Sequence, residues 1–193
     1  MVTMLTTQVG LLVYTWDAYR LVKFFTNWCL LATLFSISLS LKCSLDTAIV
    51  DKKGWLAWHH FLFQITCPMN VICVLVYWSL LHAETITDQD ISGKPIREFL
   101  MYANHITPFV FNWVNFAMTD VVMATNHWKG LQVLPPIYFY INYHETKKAG
   151  EPLYSFLTWE DMTESLMVCA ALTVFGVVSF VLLASLTKAL KPR

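Results

Sequence analysis

Charge is scarce in this chain. Only 13% of its 193 residues are Asp, Glu, Lys or Arg, against about a quarter in an ordinary soluble domain. Acidic and basic residues balance at 13 each, so there is no basic excess of the kind that binds nucleic acid. No N-x-S/T sequon, basic-headed signal sequence or Arg-rich mitochondrial presequence is visible, and insertion through an internal apolar segment is the expected route. The P-loop, GxGxxG, GxSxG and HExxH patterns are missing, which removes the sequence signatures of nucleotide chemistry, a serine-hydrolase elbow and a zinc protease. No inverted repeat or ring of charge suggests a transporter or channel. The five cysteines, Cys29, Cys43, Cys67, Cys73 and Cys169, lack CxxC spacing. They read as small buried apolar residues. No cofactor or metal is expected.

What is abundant is apolar and aromatic: 56% hydrophobic and 15% aromatic residues. Long apolar runs predict an all-α, polytopic integral membrane helix bundle, a single domain with five clear spans and possible room for a sixth. About 20 residues cross a ~30 Å hydrocarbon core. The spans are expected near residues 24–41, 61–81, 99–124, 131–143 and 165–187. Residues 1–22 are interrupted by Asp17 and Arg20 and read as a short interfacial helix with Trp16 and Tyr19 at headgroup level. Polar connections are expected at 43–60, with Asp46, Asp51, Lys52 and Lys53, and at 82–98, with Glu84, Asp88, Asp90, Lys94, Arg97 and Glu98. Another is expected at 144–164. Pro135–Pro136 break the fourth span. Basic residues divide almost evenly between the two faces, with Lys188, Lys191 and Arg193 favouring a cytoplasmic or matrix-facing C-terminus.

The third span is the unusual one. Phe99–Ala124 holds Asn104, His105, Asn112, Asn115 and Asp120, groups that are costly in hydrocarbon and normally face a protein interior. At helical spacing they fall mostly on one side, and Pro108 removes the donor that the Asn104 carbonyl would otherwise meet. On the first span, Thr26, Cys29, Thr33, Ser36 and Ser40 form a stripe suited to close helix packing. Thr26 lies near the start of its span and His105 about two turns into the third. Both helices enter from one face, so the two side chains are expected at similar depth.

A threonine hydroxyl becomes a nucleophile when a neighbouring base takes its proton, and histidine is the usual base near neutral pH. The pair therefore suits acyl transfer or ester hydrolysis; a structural histidine bonded to a neighbouring helix is the plainer alternative. Asp120, 15 residues beyond His105 and roughly 22 Å along the same helix, is too far to be a third member. Glu84, Glu98, Glu145 and Asp17 are on the matching face. His59–His60 is a lone histidine pair on the opposite face, read as interfacial beside Trp55 and Trp58 rather than as a metal site.

Several short segments resemble the androgen-induced protein family, small multi-span membrane proteins with the rolling-stone proteins as distant relatives. Lys23-Phe24-Phe25-Thr26 is similar to that family's K-F-L-T segment. Asn104-His105-Ile106-Thr107-Pro108-Phe109 is similar to its histidine segment, with Ile106 in place of the first threonine of a T-T pair. Val76-Tyr77-Trp78 after Pro68 and Pro152-Leu153-Tyr154-Ser155-Phe156-Leu157 resemble two further segments, in the same order. The resemblance covers about residues 23–160. It implies a threonine-dependent hydrolase that cleaves fatty acid esters of hydroxy fatty acids, with Thr26 as nucleophile and His105 as general base. The sequence does not single out oxyanion donors; Asn104 and the backbone loosened by Pro108 are candidates, and the acyl chains are expected among aromatic residues of the third and fifth helices.

The expected ligands are thus membrane lipids and a lipid ester, in an endomembrane or plasma membrane. The rival reading is a non-catalytic, lipid-binding accessory subunit held among other membrane subunits, as in a respiratory assembly of the mitochondrial inner membrane. Nucleic acid is not an expected partner.

Overall fold

Proline and glycine set several of the helix boundaries. In the computed structural model, which describes residues 1–14, 18–46, 53–87 and 92–191, every regular element among the described residues is helical. The helices are α1 (Val2–Tyr14), α2 (Ala18–Lys23), α3 (Phe25–Leu45), α4 (Lys53–Val76), α5 (His82–Thr87), α6 (Pro95–Met118), α7 (Trp128–Leu131), α8 (Leu134–Ala149) and α9 (Met162–Leu190). Pro95 opens α6 and Pro135–Pro136 lie in the first turn of α8, where a missing N–H costs nothing and a fixed φ favours the helix. The pair expected to break the fourth span instead begins a helix. Gly150 ends α8 at φ 75°, a left-handed stop that glycine adopts without strain. Asp161 caps α9 by accepting from the backbone N–H groups of Thr163 at 2.7 Å and Glu164 at 3.0 Å. This is a side-chain N-cap, satisfying two of the N–H groups that the first turn leaves without helical partners.

Among the described residues, three helical stretches are long and apolar enough to cross a membrane: Phe25–Leu45, Gly54–Thr87 and Met162–Leu190. The second is longer than its apolar run. Residues 53–60, expected in a polar connection, are helical, and a π-helical turn at Tyr77–Leu81 carries the chain into α5. The third expected span is displaced toward the N-terminus: α6 begins at Pro95 and ends at Met118. Asp120 is therefore exposed and off the helix rather than at its far end. Helix α6 stops where the Thr119 N–H turns back to the Phe116 carbonyl. The Lys191 ammonium also donates to the carbonyls of Phe116 and Thr119 and sits 4.1 Å over the Phe116 ring. A cation on the carbonyl end of a helix meets its negative pole.

Helix α4 is the hub. It packs against α3, α6 and α9, while α3 also meets α6. Its apolar core contains Phe63, Cys67, Met69 and Cys73 with Cys29, Phe116, Met123 and Phe180. Helix α1 packs on α3 and α6, burying Met4, Gln8, Leu11 and Leu12. Gln8 donates to the Thr107 hydroxyl at 3.2 Å. The N-terminal helix thus contributes core side chains to the bundle. Trp16, Asp17, Asp51, Lys52, Asp88, Asp90 and Arg193 lie outside the described residues.

Candidate active site

The first turn of α3 carries Thr26, and α6 carries His105 on the face turned toward it. Threonine Oγ1 lies 3.0 Å from His105 Nε2, and Nδ1 of the same ring lies 2.8 Å from the Met101 carbonyl oxygen. A carbonyl can only accept, so Nδ1 carries the proton of the neutral ring. Nε2 is then the acceptor and Thr26 donates to it. This is the tautomer a general base needs. Cys73 on α4 adds a weak S–H donor to the Thr26 oxygen at 3.7 Å. The ring of Tyr77 stacks on His105 with centroids 3.6 Å apart and planes 13° apart. The imidazole is therefore fixed by one backbone carbonyl, one hydroxyl and one aromatic face.

Among the described residues no carboxylate joins the pair, whose two ring nitrogens are already engaged. Glu98 accepts from the Gly93 N–H at 2.9 Å. Glu145 accepts from the Tyr19 hydroxyl, and that bond is the first cause holding its carboxyl below the usual range. His59, read from sequence as interfacial, is buried and lies 2.6 Å from the Ser40 hydroxyl. No group of three metal-ligating side chains occurs among the described residues.

Thr26 and His105 open onto a cavity between α4, α8, α9 and the 151–161 loop. Its atom-free volume is about 900 Å³, counting its open side. The wall is almost wholly apolar, with Met69, Ile72, Leu134, Phe139, Leu157 and Leu172 among its residues. Helix α6 gives it only His105. The aromatic wall expected from the third and fifth spans comes instead from α8 and the loop. Asn104 is buried on α6 but does not line the cavity. Pro108 sits within an unbroken helix, its carbonyl accepting from Asn70 at 3.2 Å. The two candidate oxyanion donors are therefore not at the cavity.

Two tyrosines that sequence reasoning did not single out are there. The hydroxyls of Tyr138 and Tyr154 each lie 3.2 Å from the Phe25 backbone nitrogen, at the residue preceding Thr26, and 3.0 Å from one another. They accept the Phe25 N–H that the first turn of α3 leaves unpaired. Burial is the main cause pushing the Tyr154 phenol up to about 12, so it stays protonated and keeps a proton to donate.

The loop that carries Tyr154 is pinned by Trp159. That residue has φ 60°, is buried, and donates from its indole to the Asn142 side-chain oxygen at 2.6 Å. Its N–H reaches the Ser165 hydroxyl at 3.1 Å, and its carbonyl accepts from Lys147 at 2.8 Å. A non-glycine residue in this region is held there by its surroundings. The only sequence signal for Tyr77 and Tyr154 lies in the short segments around them, Val76-Tyr77-Trp78 and Pro152–Leu157.

No family model, curated protein or solved structure matches this chain.

Proposed function

We propose that this chain is a membrane hydrolase of the androgen-induced type, cleaving lipid esters such as fatty acid esters of hydroxy fatty acids. One observation carries the reading: a threonine hydroxyl donating at 3.0 Å to a histidine whose other nitrogen is held by a backbone carbonyl, at the wall of an apolar cavity. A structural histidine needs no such tautomer and no such cavity. Crossing of the membrane by five or six segments belongs to the same proposal. The 24 residues of α6 span about 36 Å, and its buried polar side chains face other helices.

The chemistry follows from the geometry. An ester carbonyl enters beside Thr26 with its acyl chain along the apolar wall. His105 Nε2 takes the Thr26 proton as Oγ1 bonds to the carbonyl carbon. The oxyanion that forms meets the first turn of α3 and the Tyr154 hydroxyl, which accepts from Tyr138 and so keeps its own proton free to donate. Collapse expels the alkoxide of the hydroxy fatty acid, which takes the proton from His105 Nε2–H. Water then attacks the acyl-threonine with His105 again as base, releasing the carboxylic acid and restoring the hydroxyl. The Met101 carbonyl keeps the ring oriented throughout.

A fluorophosphonate probe tests the reading on the purified full chain. Covalent labelling at Thr26, mapped by mass spectrometry and blocked by His105→Ala, is the expected result. An unlabelled wild-type protein with intact helix content would count against it. Tyr154→Phe, which removes one hydroxyl from the cavity, is expected to lower kcat about 100-fold with little change in KM.

Gly176 should set chain length. A β-carbon there would stand 3.1 Å from the end of Ile72 and 3.9 Å from Leu131, so alanine needs a small shift of a flexible tip and leucine enters the cavity. Gly176→Leu is expected to reduce kcat/KM for long-chain esters on the order of tenfold, with p-nitrophenyl acetate hydrolysed as by wild type.

The accessory-subunit reading gains nothing specific here. Helix α1 covers α3 and α6, the two helices that carry Thr26 and His105.

A further inference from the structure

Three helices turn polar stripes toward one another. Helix α3 supplies Thr33, Ser36 and Ser40, α4 supplies His59, Thr66 and Asn70, and α6 supplies Asn112 and Asn115, all buried. Hydrogen bonds fix the register. Asn70 donates to the Thr33 hydroxyl at 2.9 Å and to the Pro108 carbonyl at 3.2 Å, Asn112 donates to Cys67 Sγ at 2.9 Å, and Ser40 meets His59. The stripes form one seam. From Thr26–His105 it runs fourteen residues along α3 to Ser40, about 21 Å, and along α6 to the end of that helix at Met118. There Ser40, His59, Thr119 and Asp120 line a second, more open pocket.

Many of the seam's polar atoms have no partner among the described residues: Ser36 Oγ, Asn70 Oδ1, Asn112 Oδ1, both side-chain polar atoms of Asn115, and Thr119 Oγ1. Ser36 and Asn115 are fully buried, Asn70 and Asn112 nearly so. Buried amides and hydroxyls are satisfied in native proteins, and where protein does not reach them ordered water does. Other ligands fit poorly. The interior of the seam has no ionised side chain to hold a cation, and the space between directly packed helices does not admit an acyl chain. Mixed neutral donors and acceptors at helical spacing are what water bonds to.

We infer that this seam binds a file of water molecules joining the Thr26–His105 pair to the pocket at Ser40, His59 and Asp120. On the hydrolase reading, the file has a use. An acyl chain in the apolar cavity displaces water from that side, and the seam delivers the water that releases the acyl group from Thr26. That role rests on the proposed function; the water-binding seam does not.

Hydroxyl radicals generated in place by X-ray radiolysis of ¹⁸O-water test the seam in the full chain. Cys67 lies in it and Cys169 does not, yet they are 8% and 6% exposed, so bulk radicals reach both poorly. Cys67 is expected to gain the label several-fold faster than Cys169, and Asn112→Leu or Asn115→Leu should bring it down to the Cys169 rate. Asn115→Leu should also lower the melting temperature, because it strips water of its partners. Equal labelling of the two cysteines in wild type overturns the seam, and so does a raised melting temperature for Asn115→Leu, the sign of an amide that had no partner at all.

The role is read separately from p-nitrophenyl ester kinetics. Asn115→Leu should keep the initial burst of p-nitrophenol, which reports acylation of Thr26, while steady-state turnover falls several-fold. An unchanged steady state removes the delivery role. Absence of a burst in wild type would instead sink the hydrolase reading, with the labelling result standing by itself.

Discussion

Thr26→Ala is expected to reduce ester turnover by a factor on the order of 10³ or more, with His105→Ala losing roughly 10² to 10⁴. The two losses should not add, because each variant removes the same proton transfer. In the proposed mechanism Thr26→Ala takes away the oxygen that forms the acyl intermediate. His105→Ala leaves that oxygen with only the 3.7 Å Cys73 thiol beside it, which donates and cannot accept its proton. Two conservative variants make the test sharper. Thr26→Ser keeps a hydroxyl within reach of Nε2 and should retain most of kcat; His105→Gln keeps a polar group there without a titrating base and should not. Neither alanine variant should unfold the chain. Thr26 is half-buried and bonds only within the site, so helix content and melting temperature should stay close to wild type. A Thr26→Ala protein that turns over ester at the wild-type rate would remove the proposed mechanism.

The Thr26–His105 contact was readable before any coordinates because it depends on two short measurements. Each residue is near the start of its helix, and both helices start at one end of the bundle. Depth along a helix is fixed by a rise of ~1.5 Å per residue, so a pairing at equal depth survives errors of a few residues in helix ends. The ends themselves did not survive. Composition sees charge at Lys53 and at His82–Glu98 and stops a span there. Backbone hydrogen bonding takes no account of that charge: α4 already begins at Lys53, α5 covers His82–Thr87, and α6 begins at Pro95.

The end of α6 was hidden for another reason. Phe116 and Thr119 are capped by Lys191, more than 70 residues away in sequence, and periodicity carries no information about such contacts. Tyr138 and Tyr154 were missed in the same way. Each looks like an ordinary interfacial aromatic, and only the fold brings both hydroxyls to the Phe25 N–H. Asp120 shows the opposite error: a polar residue in an apolar run looked like an intramembrane group, and it stands beyond the helix.

The largest effect on stability is expected at Asn70. This buried side chain on α4 reaches Thr33 on α3 and the Pro108 carbonyl on α6, so one amide group bonds to both of the helices that carry Thr26 and His105. Asn70→Ala loses two hydrogen bonds worth about 1 kcal/mol each and leaves a small cavity in a packed interior, for a total near 2–4 kcal/mol. Its former partners limit the cost. Thr33 still donates to the Cys29 carbonyl at 2.8 Å, and the Pro108 carbonyl lies within an α-helix.

Asn70→Asp preserves shape but cannot donate as an ionised carboxylate, so it should destabilise at least as much as alanine. A double-mutant cycle with Thr33→Val isolates the α3 contact, and a coupling of about 1 kcal/mol is expected in thermal unfolding in detergent. The consequence for the site is indirect but measurable. Loosening α4 from α3 and α6 lets Thr26 and His105 drift from 3.0 Å, so fluorophosphonate labelling of Thr26 should slow in Asn70→Ala at temperatures where the protein is still folded. Labelling at the wild-type rate, with stability lost, would mean that α3 and α6 hold the pair by their own packing.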